Sequence, residues 1–250
     1  MQHQHNKIKV LFVINKLWNR GAQQQLLAFI KKLPDRIDHS IFIINSIDSD
    51  LLLIEKFKTN GTTVYFSPHA RSHAVFQIKS LSDCIKKNGF DVIVTIGLGA
   101  ALFIGRVAGY LNQVPIVYST LHTFHNQQGH DFPYFDFPNI VLNYMLPKIA
   151  RRTNYRFLPN CKKLGEKVNM LCSAYPISTL YNGIEKDMLE KMKEHSPCVV
   201  VQSVINKLNM RPIVIQVGAL DRNKNQILTL ECINKIKKGL PEILLVLVGD

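Results

Sequence analysis

Short apolar, β-rich runs alternate with amphipathic runs along this chain. The pattern predicts strands at 8–14, 40–44, 63–66, 92–96, 116–119, 155–158 and 177–180. Between them it predicts helices at 22–32, 50–58, 75–88, 100–111, 137–151 and 162–171. Such alternation implies an α/β fold, a Rossmann-like parallel sheet with helices on both faces. Gly89 after Asn88, and Pro34 after Leu33, mark helix ends.

The pattern then restarts. Tyr181-Asn182-Gly183 is a turn signal, and 186–211 reads as a linker that opens with charges and contains Pro197. From Pro212 the chain reads strand at 213–217, basic loop, helix, and strand at 244–248. The expected domains are therefore 1–185, a linker at 186–211, and 212–250 as the first β-α-β of a second Rossmann-like domain. Two strands cannot bury their own faces, so exposed apolar strands with open edges are expected there. On this reading the chain is truncated within its second domain.

Composition narrows the partners. The formal net charge of +13 favours anionic ones: phosphorylated substrates, an anionic membrane surface or nucleic acid. Nucleic acid is the weakest of these, because no aromatic interleaving or recognised nucleic-acid module accompanies the charge. The most apolar stretch, 92–105, is shorter than the roughly 20 residues a membrane span needs, and Gly97 and Gly99 interrupt it. The N-terminus lacks a signal-peptide layout, and the five cysteines form no C-x-x-C pair. Together these imply a cytoplasmic protein, peripheral at the membrane if it touches one, with reduced and mostly buried thiols.

Four segments carry candidate chemistry. The loop 15–22 follows the first strand and opens the first helix, so Lys16, Arg20 and Gly21 stand where an anion meets unpaired helix N–H groups. The same residues also fit a plain strand–helix turn. At the end of a later strand, 119–125 holds His122 and His125, which read as substrate contacts, acid–base groups or exposed loop histidines. His130 and Asp131 lie close by in sequence, yet the spacing matches no zinc pattern, so no metal site is expected. The basic run Lys148, Arg151, Arg152, Arg156, Lys162, Lys163 and Lys167 reads as a solvated helix face or as a contact with anionic lipid. Finally, 217–225 is a second loop between strand and helix. Gly218, Arg222 and Lys224 there suit a diphosphate, combining helix dipole and side-chain charge.

Five segments together resemble the family 4 glycosyltransferases, retaining enzymes of the GT-B fold. NRGAQQQLLAF resembles that family's G-G-A-E-R-Q helix start, and STLHTFH its strand-end histidine segment. NCKKLGEKV resembles the N-S-x-x-x segment, and LYNGIE resembles I-x-N-G-[IV]-[DE]. VGALDRNKNQILTLECI resembles V-G-[RS]-L-x-x-x-K-[GN]-x-x-x-L, the donor-diphosphate loop. The matches fall in the family's order along nearly the whole chain.

The resemblance implies two lobes, one binding an acceptor and one a nucleotide-sugar, with transfer to a sugar or lipid-linked acceptor. It implies no cofactor beyond the donor. Carried over, Gly21 lies in the acceptor-side glycine loop, His122 contacts the transferring sugar, and Lys224 binds the donor diphosphate. Three positions depart from the pattern: Arg20 replaces the first glycine, Gln23 a glutamate, and Ala219 an arginine. The family's paired glutamates and nucleoside-binding segments have no counterpart here. The resemblance therefore also implies impaired turnover by this chain alone, or a non-catalytic acceptor- or membrane-binding fragment or partner subunit. A dinucleotide-dependent oxidoreductase is disfavoured, since no G-x-G-x-x-G follows the first strand.

Overall fold

The computed structural model describes residues 7–18, 21–47, 49–97, 99–122, 152–171, 175–184, 186, 189, 190, 211–220 and 224–249. They fall into two compact units, one running through Ile184 and one from Glu185 onward.

The first unit contains β1 (Ile8–Ile14), α1 (Gly21–Ile30), β2 (Ile37–Ile43), α2 (Leu51–Thr59), β3 (Thr63–Phe66), α3 (Ala74–Asn88), β4 (Val92–Ile96), α4 (Ala100–Leu111), β5 (Ile116–Leu121), β6 (Asn154–Pro159) and α5 (Lys162–Leu171). The strands form a six-stranded sheet in the order β3-β2-β1-β4-β5-β6. Every pairing is parallel, with Ile14 opposite both Ile43 and Ile96. This is the doubly wound α/β sheet that the alternating pattern predicts.

Strand alternation sends side chains to two cores. Val10, Phe12, Ile14, Ile41 and Ile43 pack with Leu26, Leu27 and Ile30 of α1 and Leu53, Ile54 and Phe57 of α2. Leu11, Val13, Phe42, Ile93 and Val117 pack with α3, α4 and α5 on the opposite face. Asp50 starts α2 by accepting from the N–H groups of Leu52 and Leu53, which satisfies two of its orphan donors.

Helix α4 lies unusually close to the sheet. A Cβ on Gly105 would overlap Thr95 Cγ2, and one on Gly109 would come within 2.8 Å of Val117 Cγ2. These two glycines, one helical turn apart, fix the depth at which α4 sits. They thereby fix where its N-terminus emerges, beside the end of β4.

Three differences from the sequence reading have physical causes. Strand β2 begins at Ile37 rather than at Ser40, because Ile8 to Val10 of β1 pair with Ile37 to His39 despite their mixed polarity. The expected strand at 177–180 is reduced to one parallel bridge, Phe157 with Ile177. It runs along the outer edge of β6, and Pro176 contributes a carbonyl but no N–H. The thiols of Cys161 and Cys232 are exposed rather than buried, whereas Cys84 is partly buried. Cys161 lies just before α5 at its solvent side, and Cys232 lies on a face of its helix that nothing covers. The expected helix at 137–151 and most of the 186–211 linker lie outside the described residues.

The second unit contains β7 (Ile213–Val217), α6 (Gln226–Ile236) and β8 (Leu244–Val248). The two strands pair in parallel from Ile213–Leu244 to Val217–Val248. Their apolar side chains are largely uncovered: Ile215 is 61% and Val217 73% exposed. No described helix is long and apolar enough to cross a membrane.

Candidate functional site

Strand order reverses between β1 and β4: β2 lies to one side of β1, and β5 lies to the far side of β4. Loops leaving such a pair diverge and open a crevice at the carboxyl edge of the sheet, where ligands of open α/β sheets bind. The Ile14–Ile96 pair ends the ladder here. Asn15, Lys16, Leu17 and Trp18 follow on one side, and Gly97 and Gly99 on the other.

The loop after β1 is braced from several directions. Leu17 N–H donates to Ser49 Oγ at 3.1 Å, and Asp50 N–H donates to the Leu17 carbonyl at 2.7 Å. The Gln23 amide donates to the Lys16 carbonyl at 3.4 Å, tying α1 back to its own entry loop. The Lys16 ammonium lies 5.1 Å from the centre of the Trp18 ring, within cation–π range. Gly21 is the first residue of α1, and a side chain there would point into open space. The fold therefore leaves room for a ligand at that helix start. Arg20 lies outside the described residues.

Across the crevice, Gly97 and Gly99 have φ of +81° and +79°. These are left-handed conformations that a side chain disfavours, and they turn the chain sharply from β4 into α4. No acidic residue occupies the first turn of α4, so its N–H groups face the carboxyl edge uncompensated by charge. The sequence reading treated these glycines only as interruptions of an apolar run. Their G-x-G spacing between strand and helix was the available signal.

His122 follows β5, next to β4 in the sheet. Its carbonyl accepts from the Asn160 amide at 3.3 Å, and Asn160 N–H donates to the Leu121 carbonyl. Burial pushes its imidazole below the ordinary histidine range. At neutral pH the ring is therefore uncharged, a state that can exchange hydrogen bonds with a sugar hydroxyl. His125, His130 and Asp131 lie outside the described residues, as do Lys148 and Arg151 of the basic run. Within that run, Arg156 turns to Ser178 Oγ at 2.7 Å rather than to a shared basic face.

The second unit repeats the arrangement on a smaller scale. Gly218 follows β7 with φ of +153°. A Cβ built on Gly218 would lie 3.4 Å from carbons of the Lys224 side chain, in van der Waals contact with it. The structure thus brings together Gly218 and Lys224. Gln216 donates to the Lys224 carbonyl at 2.7 Å, and Gln226 to the Ala219 carbonyl at 2.8 Å. Asn225 caps α6 by accepting from Leu228 N–H at 3.4 Å. Lys224 therefore stands one residue before the cap of a helix. Arg222 lies outside the described residues.

No protein-family model and no curated protein matches the chain. Solved structures do. Anabaena HepE, solved in complex with UDP and glucose, superposes with a TM-score of 0.65 at 15% identity, over 97% of this chain and 61% of HepE. A glycosyltransferase from Rickettsia africae gives 0.60 at 12% identity, over 98% of this chain and 69% of that one. UDP-GlcNAc 2-epimerase from Neisseria meningitidis, bound to UDP-GlcNAc, gives 0.55 at 12% identity, over 96% and 65%. The chain therefore spans less than two thirds of the length of HepE and of the epimerase. What this likeness shows is the fold, an α/β Rossmann-like chain resembling proteins of the GT-B fold.

Proposed function

We propose that this chain serves in sugar transfer from a nucleotide-sugar, with its first unit holding the acceptor and its second unit the donor diphosphate. One observation carries the reading. In each unit a parallel strand is followed by a lysine-bearing loop and a helix N-terminus, with a glycine at one end of the loop: Lys16 before α1, which Gly21 opens, and Gly218 and Lys224 before α6. That arrangement suits oxyanions. The GT-B likeness of HepE and the Rickettsia africae enzyme adds support, as does the family 4 resemblance of the loop motifs. In that family a retaining mechanism follows.

In this mechanism the diphosphate gains charge as the sugar leaves. Lys224 and the N–H groups of α6 offset that charge, without a metal ion or other cofactor. His122, neutral through burial, hydrogen-bonds the transferring sugar. Lys16, Arg20 and Gly21 form the acceptor-side loop, and Arg222 joins Lys224 at the diphosphate. The acceptor is a saccharide or lipid-linked saccharide of the cell envelope, reached from the cytoplasm, with anionic lipid as a peripheral contact.

A second reading has its own observation, the apolar residues left uncovered in the second unit. On that reading these 250 residues bind an acceptor, or pair with another chain, without turning over. One experiment tests both. Purified chain is titrated with UDP, then incubated with UDP-glucose or UDP-GlcNAc and candidate acceptors while products are followed by mass spectrometry. Weak UDP binding that Lys224→Ala abolishes, with little or no transfer, is the expected result. Multiple turnovers would overturn the expectation of impairment. Appearance of a 2-epimer would replace transfer by epimerisation. A folded chain that binds no UDP, or binds it equally with Lys224→Ala, would remove the donor assignment.

A further inference from the structure

Two peptide planes meet at the Cα of His122, and one residue holds both. The Leu121 carbonyl, on the first plane, accepts from Asn160 N–H at 2.9 Å. The His122 carbonyl, on the second, accepts from the Asn160 side-chain amide at 3.3 Å. The β5–β6 ladder ends one residue before His122, with the pair Leu121–Pro159, and the chain bends there. Peptides are planar, so holding both planes fixes φ and ψ of His122 and the direction of its Cα–Cβ bond.

The base of this clamp is rigid. The peptide joining Pro159 to Asn160 is held on both sides: its carbonyl accepts from Leu180 N–H at 2.9 Å, and its N–H is the one that donates to Leu121. The proline ring fixes φ immediately before it. Helix capping does not account for an asparagine here. Gly165 N–H donates to the Cys161 carbonyl, which makes Cys161 the cap of α5 and leaves Asn160 one residue outside the helix. Sheet pairing does not account for it either. The six backbone pairs from Ile116–Asn154 to Leu121–Pro159 already join β5 to β6. What the side chain adds is the hold on His122, and an amide donor is the group that a carbonyl requires.

We infer that Asn160 is a positioning residue, which aims the His122 imidazole by pinning the peptides on either side of it. Its use in sugar transfer rests on the sugar contact proposed for His122. Asn160 touches no reacting atom on this reading and acts through the histidine alone. A neutral imidazole has one donor and one acceptor, so it matches a sugar hydroxyl only in a defined orientation. Without the amide, the second plane turns freely and the ring gains access to water.

The isotope-labelled full chain is titrated with acid and base while its imidazole signals are followed by NMR, His122→Gln identifying the signal of His122. The variants are Asn160→Leu and Asn160→Ala, which lack the donor, and Asn154→Ala at the exposed opposite end of β6 as a control. Burial holds the parent ring below its ordinary value of 6.5. In both Asn160 variants its proton affinity is expected to rise about threefold or more as water reaches it. The other histidines, and His122 in Asn154→Ala, are expected to keep the parent curve. A role confined to joining β5 to β6 would lower the melting temperature and leave the His122 curve in place. That result overturns the inference, as does an equal rise in Asn154→Ala or the failure of both Asn160 variants to fold. UDP-glucose is then compared with UDP in the same chains. The His122 signal is expected to move with UDP-glucose alone, and the advantage of UDP-glucose over UDP to fall about threefold or more in the Asn160 variants. The acid–base titration contains no nucleotide, so it decides the positioning by itself. A His122 that responds to Asn160 but not to UDP-glucose upholds the positioning and removes the sugar contact.

Discussion

The guanidinium carbon of Arg106 lies 4.2 Å from the ring centre of Tyr155. Tyr175 and Phe157 stand at 5.1 and 5.7 Å, so a residue that is 3% exposed is enclosed by aromatic faces. Arg106 projects from α4 between Gly105 and Gly109, whose missing side chains bring that helix down onto β4 and β5. A planar cation stacks on rings where an ammonium cannot. Arg106→Lys is therefore expected to lower stability by about 1–2 kcal/mol, and Arg106→Ala by about 2–3 kcal/mol through added loss of packing. Denaturant midpoints measure both. A lysine variant as stable as the parent would show that the rings merely tolerate the charge.

The same cluster is expected to lower stability at alkaline pH. Burial raises the hydroxyl pKa of Tyr175 above its ordinary value of 10.0, and that of Tyr110 likewise, with Arg106 opposing the shift in both. A folded-state pKa above the unfolded one means that unfolded chains release protons first as pH rises. The stability contributed is complete below pH 10 and falls progressively above it. Unfolding followed from pH 8 to about 11.5 is expected to show that fall, and Tyr175→Phe to flatten it. Cys84, pushed up to about 11 chiefly by burial, adds a fall beginning at its ordinary 9.0. A Tyr175→Phe variant with the parent slope would show that the cluster is not the source of the fall above pH 10, and a Cys84→Ala variant with it would show that the thiol adds none.

Much of this architecture was legible in the chain. Val92 to Ile96 and Ile116 to Leu121 are apolar runs too short for helices, and α4 is too long and too continuous to be a strand. The lateral order of strands is not written in such periodicity. The reversal between β1 and β4, which makes a crevice of the loops after them, therefore emerges only from the pairing. Lys16, Gly21, His122, Gly218 and Lys224 could be singled out because each follows a readable strand. The hydrogen bonds that Asn45 makes to Asn15 and to Arg71 could not, because they depend on a left-handed turn and bridge three loops. Nothing local in the sequence reports the rings that converge on Arg106.

Gln23 stands where the resembled family has glutamate, and its contact gives the reason. Its amide donates to the Lys16 carbonyl, which a carboxylate cannot do. Gln23→Glu would set an acceptor against an acceptor and release the loop that carries Lys16 and Trp18. The expected loss is about 1–3 kcal/mol, with a red-shifted Trp18 emission as the loop opens to water. Unchanged emission and melting temperature would mean that the loop is held by Ser49 and Asp50 alone.

In the second unit the close approach of Gly249 to Gly218 fixes the loop around Lys224. A Cβ on Gly249 would overlap the Gly218 carbonyl oxygen, while Gly218 N–H donates to the Val248 carbonyl at 2.9 Å. Backbone meeting backbone leaves no flexible group to move aside. Gly249→Ala must therefore separate the ends of β7 and β8 and break that hydrogen bond, at a cost of about 1–3 kcal/mol. The strands have little apolar cover to hold them together, as the exposure of Ile215 and Val217 shows. Hydrogen exchange is expected to accelerate across 213–217 and 244–248 in the variant while β1 to β6 keep their protection. UDP binding should weaken with it, because Lys224 rests on Gly218. Acceleration spread equally through both units would show that they unfold as one body, and unaltered exchange at 213–217 would show that the contact does not constrain the loop.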